Sequence, residues 1–127
     1  MLSLVSYPII LGLLTERSMP KTSDNLQGTL ALLILKTLAR GANHGFGIAL
    51  HIQEASAGLL RVEEGSLYPA LHRLERDKLV SAEWKVTGNS RRARYYKLTP
   101  AGRKRLADAE RTWASTSKGV ANVLRYA

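Results

Sequence analysis

The chain has 127 residues, a net charge of +9, 45% hydrophobic and 23% charged residues, and no cysteine. That length holds one domain with one packed core. The balance of apolar and charged residues excludes a disordered chain and a membrane-embedded one, and the missing cysteine excludes disulfides and thiol chemistry. So strong a positive charge points to a polyanionic partner, either nucleic acid or an anionic membrane face.

Met1–Leu14 is almost wholly apolar. It lacks the basic start and small-residue cleavage site of a signal peptide and is too short to cross a bilayer. Met19 stands just ahead of a helix start, so residues 1–18 read either as an N-terminal extension upstream of a start at Met19 or as an extra arm packed on a dimer. Asp24 and Gln27 have capping-box spacing. Leu26, Leu30, Leu33, Ile34 and Leu38 follow at helical spacing, with Ala31, Leu32 and Leu35 on the other side. A helix apolar nearly all round is buried on more than one face. In a chain this small the second face, with Leu30 and Ile34, is expected to meet another subunit. Gly41 ends this helix.

His44–Ala57 reads as a second helix with Phe46, Ile48, Ala49 and Ile52 as its apolar members, broken by Gly58. Glu63–Leu79 reads as a third, with Leu67, Ala70, Leu71 and Leu74 as its inner stripe and Pro69 in the first turn, where a missing N–H does no harm. Val80, Ala82, Trp84 and Val86 then alternate with Ser81, Glu83 and Lys85, and Arg94, Tyr96 and Leu98 alternate with Tyr95 and Lys97. Gly88-Asn89 between them is a turn signal, so the two runs predict a β-hairpin. Thr99 caps a last helix, with Pro100 at its first position. Leu106, Ala109, Trp113, Thr116, Val120 and Val123 follow the three- and four-residue steps of a helix-pair seam, widened by Leu124. The expected fold is mainly α with a small β-hairpin: a winged helix-turn-helix over residues 19–99 and a C-terminal dimerisation helix over 100–127. Leu30, Ile34, Leu106, Ala109, Trp113, Val120, Val123 and Leu124 are the expected dimer interface.

Charge is concentrated in one segment. Residues 80–105 hold Lys85, Arg91, Arg92, Arg94, Lys97, Arg103, Lys104 and Arg105 against Glu83 alone, a net +7. In a winged helix the third helix enters the major groove and the hairpin reaches the flanking backbone or minor groove. With the leucine stripe inward, the third helix turns Gly65, Pro69, His72 and Arg76 outward, flanked by Tyr68 and Arg73, with Ser66 as a further hydrogen-bonding group. These side chains suit contacts to phosphates and base edges. Arg91, Arg92 and Arg94 fall at the hairpin tip, where they attract phosphates. The expected partner is double-stranded DNA with a two-fold site. The alternative is a non-enzymatic protein-interaction module on the same fold, for which the basic hairpin has no use. No nucleophile, phosphate-loop, metal or cofactor motif is present in the sequence. His44, His51 and His72 lie on separate elements without acidic or nucleophilic partners and read as solvated or capping histidines.

Three stretches carry a family resemblance. His44-Gly45-Phe46-Gly47-Ile48-Ala49 resembles the HGYGIA element of PadR-family regulators. The run from Glu64 to Glu75 resembles their GTLYPALHRLE recognition helix, and the run from Arg91 to Gly102 their RRARYYRLTPAG wing and exit. Phe46 replaces the commoner tyrosine, and Ser66 stands where threonine is usual. The resemblance covers about residues 20–110 and implies a cytoplasmic, nucleoid-associated bacterial homodimer. It implies a repressor responsive to a small aromatic or drug-like effector, from the subgroup with a single helix after the wing. In some multidrug-binding relatives a tryptophan from each subunit lines a pore at the dimer interface, which makes Trp113 an effector contact as well as an interface or core residue.

Overall fold

The computed structural model describes residues 28–126. The chain divides into two units at Leu30 and Ala31. Of the first, only the start of one helix, residues 28–30, is described. The expectations for residues 1–18 and for the Asp24–Gln27 capping box lie outside the described residues.

The first helix, α1, covers residues 28–38. Its spacing of apolar residues buries Ile34, Leu35 and Leu38 completely or nearly so. Thr37 is buried among them and is satisfied locally, its hydroxyl donating to the Leu33 carbonyl at 2.8 Å. A short strand β1 (Asn43–His44) leads into α2 (Gly45–Ala55). Then come α3 (Glu64–Arg76), the hairpin strands β2 (Val80–Val86) and β3 (Arg92–Leu98), and a long α4 (Pro100–Tyr126). The strands form one antiparallel sheet in the order β1-β3-β2. The core is made by Ile34, Leu35 and Leu38 of α1, Ile48 and Ile52 of α2, the Leu67, Ala70, Leu71 and Leu74 stripe of α3, Leu79, Val80, Tyr96 and Leu98 of the hairpin base, and Leu106 of α4. This is a winged helix.

Several boundaries differ from the sequence expectation. α2 begins one residue later than expected because His44 is its N-cap: the His44 Nδ1 accepts the Gly47 N–H at 3.0 Å, while the His44 backbone pairs with Tyr95 in β3. α2 ends two residues earlier, and α3 three residues earlier, in the same way. Ala57 and Lys78 take up left-handed backbone with φ of 56° and 61°. Each sits in a paired set of hydrogen bonds: Ala57 N–H to Glu54 O with Gly58 N–H to Gln53 O, and Lys78 N–H to Glu75 O with Leu79 N–H to Leu74 O. These are Schellman closures, which satisfy the last carbonyls of a helix. The hairpin loop covers residues 87–91, closed by Thr87 N–H to Arg91 O at 2.7 Å, and its left-handed residue is Ser90 rather than Gly88 or Asn89.

Two residues expected at a dimer interface belong to the core of the single chain. Ile34 is 0% exposed and Leu106 is buried, so neither side chain has surface to give a partner. A helix apolar nearly all round needs only enough neighbours to cover it, and in α1 the chain itself covers the Ile34 side.

α4 is anchored at its first turn. Thr99 donates its hydroxyl to the Lys78 carbonyl and accepts the Gly102 N–H, and the Thr99 N–H donates to the Leu79 carbonyl. A Cβ on Gly102 would collide with the Leu79 carbonyl, so the close approach of α4 to the start of β2 requires glycine there. At 1.5 Å per residue α4 is about 40 Å long. Beyond Ala109 it is exposed apart from Ser117. No described helix is long and apolar enough to cross a membrane.

Candidate nucleic-acid interface

With Leu67, Ala70, Leu71 and Leu74 turned inward, α3 presents Ser66, Tyr68, Pro69, His72 and Arg76 to solvent, and Arg73 is half-buried beside them. The outward set expected from helical spacing is thus together on one face. Tyr68 is held in place by close packing: a Cβ on Gly45 would come within 2.5 Å of the Tyr68 hydroxyl. Glycine at the first position of α2 is what lets the two helices meet there.

The hairpin register fixes what the wing shows. Val80 pairs with Leu98, Ala82 with Tyr96, Trp84 with Arg94, and Val86 with Arg92. These four pairs share one face because side chains alternate along a strand. From base to tip that face runs from buried aliphatic to aromatic to cationic. Tyr96 is buried, and burial raises its pKa against the lowering pull of the Arg94 guanidinium beside it.

The three arginines expected to act alike at the tip are not equivalent. Arg91 and Arg92 are exposed, and Arg92 lies over the Trp84 ring at 4.8 Å from its centroid. Arg94 is two ladder positions further down the strand. Its Nη2 donates to Glu75 Oε2 of α3 at 2.6 Å, its Cζ lies 5.7 Å from the Trp84 centroid, and both members of the ion pair are about two-thirds buried. Arg94 Nε is buried with no hydrogen-bond partner among the described residues.

Sequence reasoning missed the placement of four side chains around this face. Phe46, expected in the core of α2, is 69% exposed, and Trp84, expected as an ordinary alternating strand residue, is 54% exposed. His44 packs edge-on against Tyr95, with centroids 5.2 Å apart. Glu75, read only as part of the near-neutral charge of α3, is the anchor for Arg94. An open groove of about 460 Å³ runs between α3, the start of α2 and the wing, bordered by Phe46, Tyr68, Trp84, Arg92 and Arg94. The Trp84–Arg94 pairing was available from the sequence once the hairpin register was known. The exposure of Phe46 was not, since a helical period cannot tell a core phenylalanine from one at the helix rim.

A second face stands apart from this groove. Trp113 (49% exposed), Val120, Val123 and Leu124 form an uncovered apolar stripe along α4, with Ala109 half-buried at its start. Leu30 is half-buried. Among the described residues no cluster of three histidine, aspartate or glutamate side chains is placed to hold a metal.

The sequence profile of the Transcriptional regulator PadR-like family matches residues 34–108. Transcriptional regulator Rv3488 of Mycobacterium tuberculosis is 39% identical over 89 residues, spanning 70% of this chain and 79% of that protein. Among solved structures, a PadR-like transcription factor from Bacteroides fragilis is 32% identical with a TM-score of 0.67, covering 80% of this chain and 96% of the other. Bacillus subtilis PadR, solved in complex with operator DNA, shares the fold at 24% identity and a TM-score of 0.57, covering 62% of this chain and 45% of that one.

Proposed function

The chain belongs to the PadR-like family of transcriptional regulators, which are not enzymes, and from that premise we propose that it is a sequence-specific DNA-binding repressor acting as a homodimer. α3 lies in the major groove, where Ser66, Tyr68, His72, Arg73 and Arg76 reach base edges and phosphates and Pro69 allows close approach. Arg91 and Arg92 of the wing neutralise flanking phosphates. The observation that carries this reading is that the exposed face of α3 and the cationic face of the wing are tied together through Glu75 and Arg94 into one continuous surface. A protein-binding winged helix has no need of such a surface. The shared fold with a protein solved on operator DNA supports the same partner.

Residues 19–99 form the DNA-binding domain and 100–127 the dimerisation helix, with residues 1–18 as an extension. Trp113, Val120, Val123 and Leu124, and Ala109 at the margin, pair with the same residues of a second copy. An exposed apolar stripe of this kind marks an interface, and two-fold DNA sites accept one subunit per half-site. The function places the protein in the cytoplasm, on the nucleoid. A small aromatic or drug-like effector, as the family resemblance implies, would contact Trp113 between the paired α4 helices. The test is selection of bound sequences from random DNA by the purified protein, with sedimentation of the same sample. Enrichment of a two-fold site by a dimer is the expected result. Binding without sequence enrichment, or full affinity as a monomer, would refute it.

A further inference from the structure

Arg91, Arg92 and Arg94 lie within four residues of each other and carry equal charge, but their surroundings differ. Arg91 and Arg92 have no anionic partner among the described residues. Arg94 is already engaged. One guanidinium nitrogen is held by Glu75 at 2.6 Å, another is buried, and the Trp84 ring flanks the group. Of the three arginines Arg94 is the one whose charge is already met by a carboxylate, itself about two-thirds buried, and such a pair is screened by salt much less than an exposed one.

The position of this pair in the fold gives it a different task. Glu75 is in the last turn of α3, one residue before its end, and Arg94 is the third residue of β3. Beyond Ala82 the outer half of β2, residues 83–86, is exposed and has no core behind it. β1 pairs with β3 at Tyr95 and Tyr96, and the Glu75–Arg94 ion pair, flanked by Trp84, ties the next part of the wing directly to α3. We propose that Glu75 and Arg94 are positioning residues for DNA recognition: they fix the wing against the recognition helix so that both meet one half-site in a single register. This rests on the DNA-binding reading above.

The test compares R92A, R94A, E75A and the E75A/R94A double variant on the selected operator and on random DNA across a range of salt concentrations. Removing a phosphate contact lowers the salt slope by about one unit per contact, so about two units for a dimer with one wing per half-site, on both DNAs, and that is the result expected for R92A. R94A and E75A should each lose tenfold or more of operator affinity with random-DNA affinity and salt slope held, and the double variant should be no worse than either single one. E75A is the sharpest case. It raises the net charge by one, so a purely electrostatic interface would bind more tightly, whereas a positioning role makes operator binding weaker. Fluorine NMR of fluorotryptophan-labelled protein without DNA supplies a second readout: the Trp84 resonance should shift in R94A and E75A while that of Trp113 stays. An R94A salt slope that falls as in R92A, an E75A variant that holds the operator as tightly as wild type, or an unmoved Trp84 resonance would each overturn the positioning role. A wild-type protein that selects no sequence would overturn the DNA-binding reading itself.

Discussion

The Thr99 hydroxyl donates to the Lys78 carbonyl at 2.8 Å across the base of the hairpin, and the same oxygen accepts the Gly102 N–H at 3.0 Å. One side chain thus closes the strand pair and caps the helix that follows. T99A removes both bonds and should cost about 1–2 kcal/mol, with T99S retaining most of it. Thermal melts of the two variants check this, and equal loss in both would show that the methyl packing, not the hydroxyl, is what matters.

Lys78 itself sits in left-handed backbone at φ 61° with its side chain exposed. An L residue there costs about 1–2 kcal/mol, against roughly 0.4–1 kcal/mol for the extra freedom of glycine in the unfolded chain. K78G is therefore expected to stabilise the protein by about 0.5 kcal/mol. The urea midpoint should rise with an unchanged slope.

The buried Tyr96 hydroxyl has its pKa raised above the ordinary 10.0, first by burial and then by Glu75, with Arg94 opposing. A raised folded-state pKa means that the contribution to stability is complete below the unfolded value and is lost as pH rises from there through the folded one. Unfolding free energy should therefore fall more steeply in wild type than in Y96F above about pH 10. Identical alkaline slopes would show that Tyr96 ionises freely in the folded protein.

Arg91 and Arg92 stand clear of Glu75, and their joint replacement by alanine should lower the salt slope by about two units per subunit, about four for the dimer, on operator and random DNA alike. Titration by fluorescence anisotropy at several salt concentrations measures this. A slope equal to that of the wild type would remove the wing tip from the interface.

The α4 stripe gives the assembly prediction. W113E with V120E places two charges on the uncovered face and should yield a folded monomer that has lost operator binding, because one half-site contact is too weak alone. Sedimentation and circular dichroism together distinguish this from unfolding.

The fold was largely legible in the sequence because its periods are clean. The leucine stripe of α3 and the two alternating runs of the hairpin each admit one face inward. What was not legible depended on pairing across the chain. Ile34 and Trp113 both look like surplus apolar surface in one dimension, but the chain covers the first completely and leaves the second half exposed. The difference between Arg92 and Arg94 likewise depends on Glu75, nineteen residues from Arg94, which no local pattern connects to the wing. Helix ends were misplaced where Ala57 and Lys78, rather than glycine, adopt left-handed backbone.

The rigid attachment of α4 to the hairpin base makes the helix a ruler. With its first turn locked by Thr99 and Gly102, each residue added along the exposed half advances the apolar stripe by 1.5 Å and swings it by about 100°. Inserting seven residues ahead of Trp113 would restore the phase of the stripe nearly to its start while moving the paired face about 10 Å outward. Inserting two would turn it to the opposite side. If the two copies meet along this stripe, the seven-residue insertion should change the preferred separation of half-sites in the selected DNA, whereas the two-residue insertion should abolish pairing.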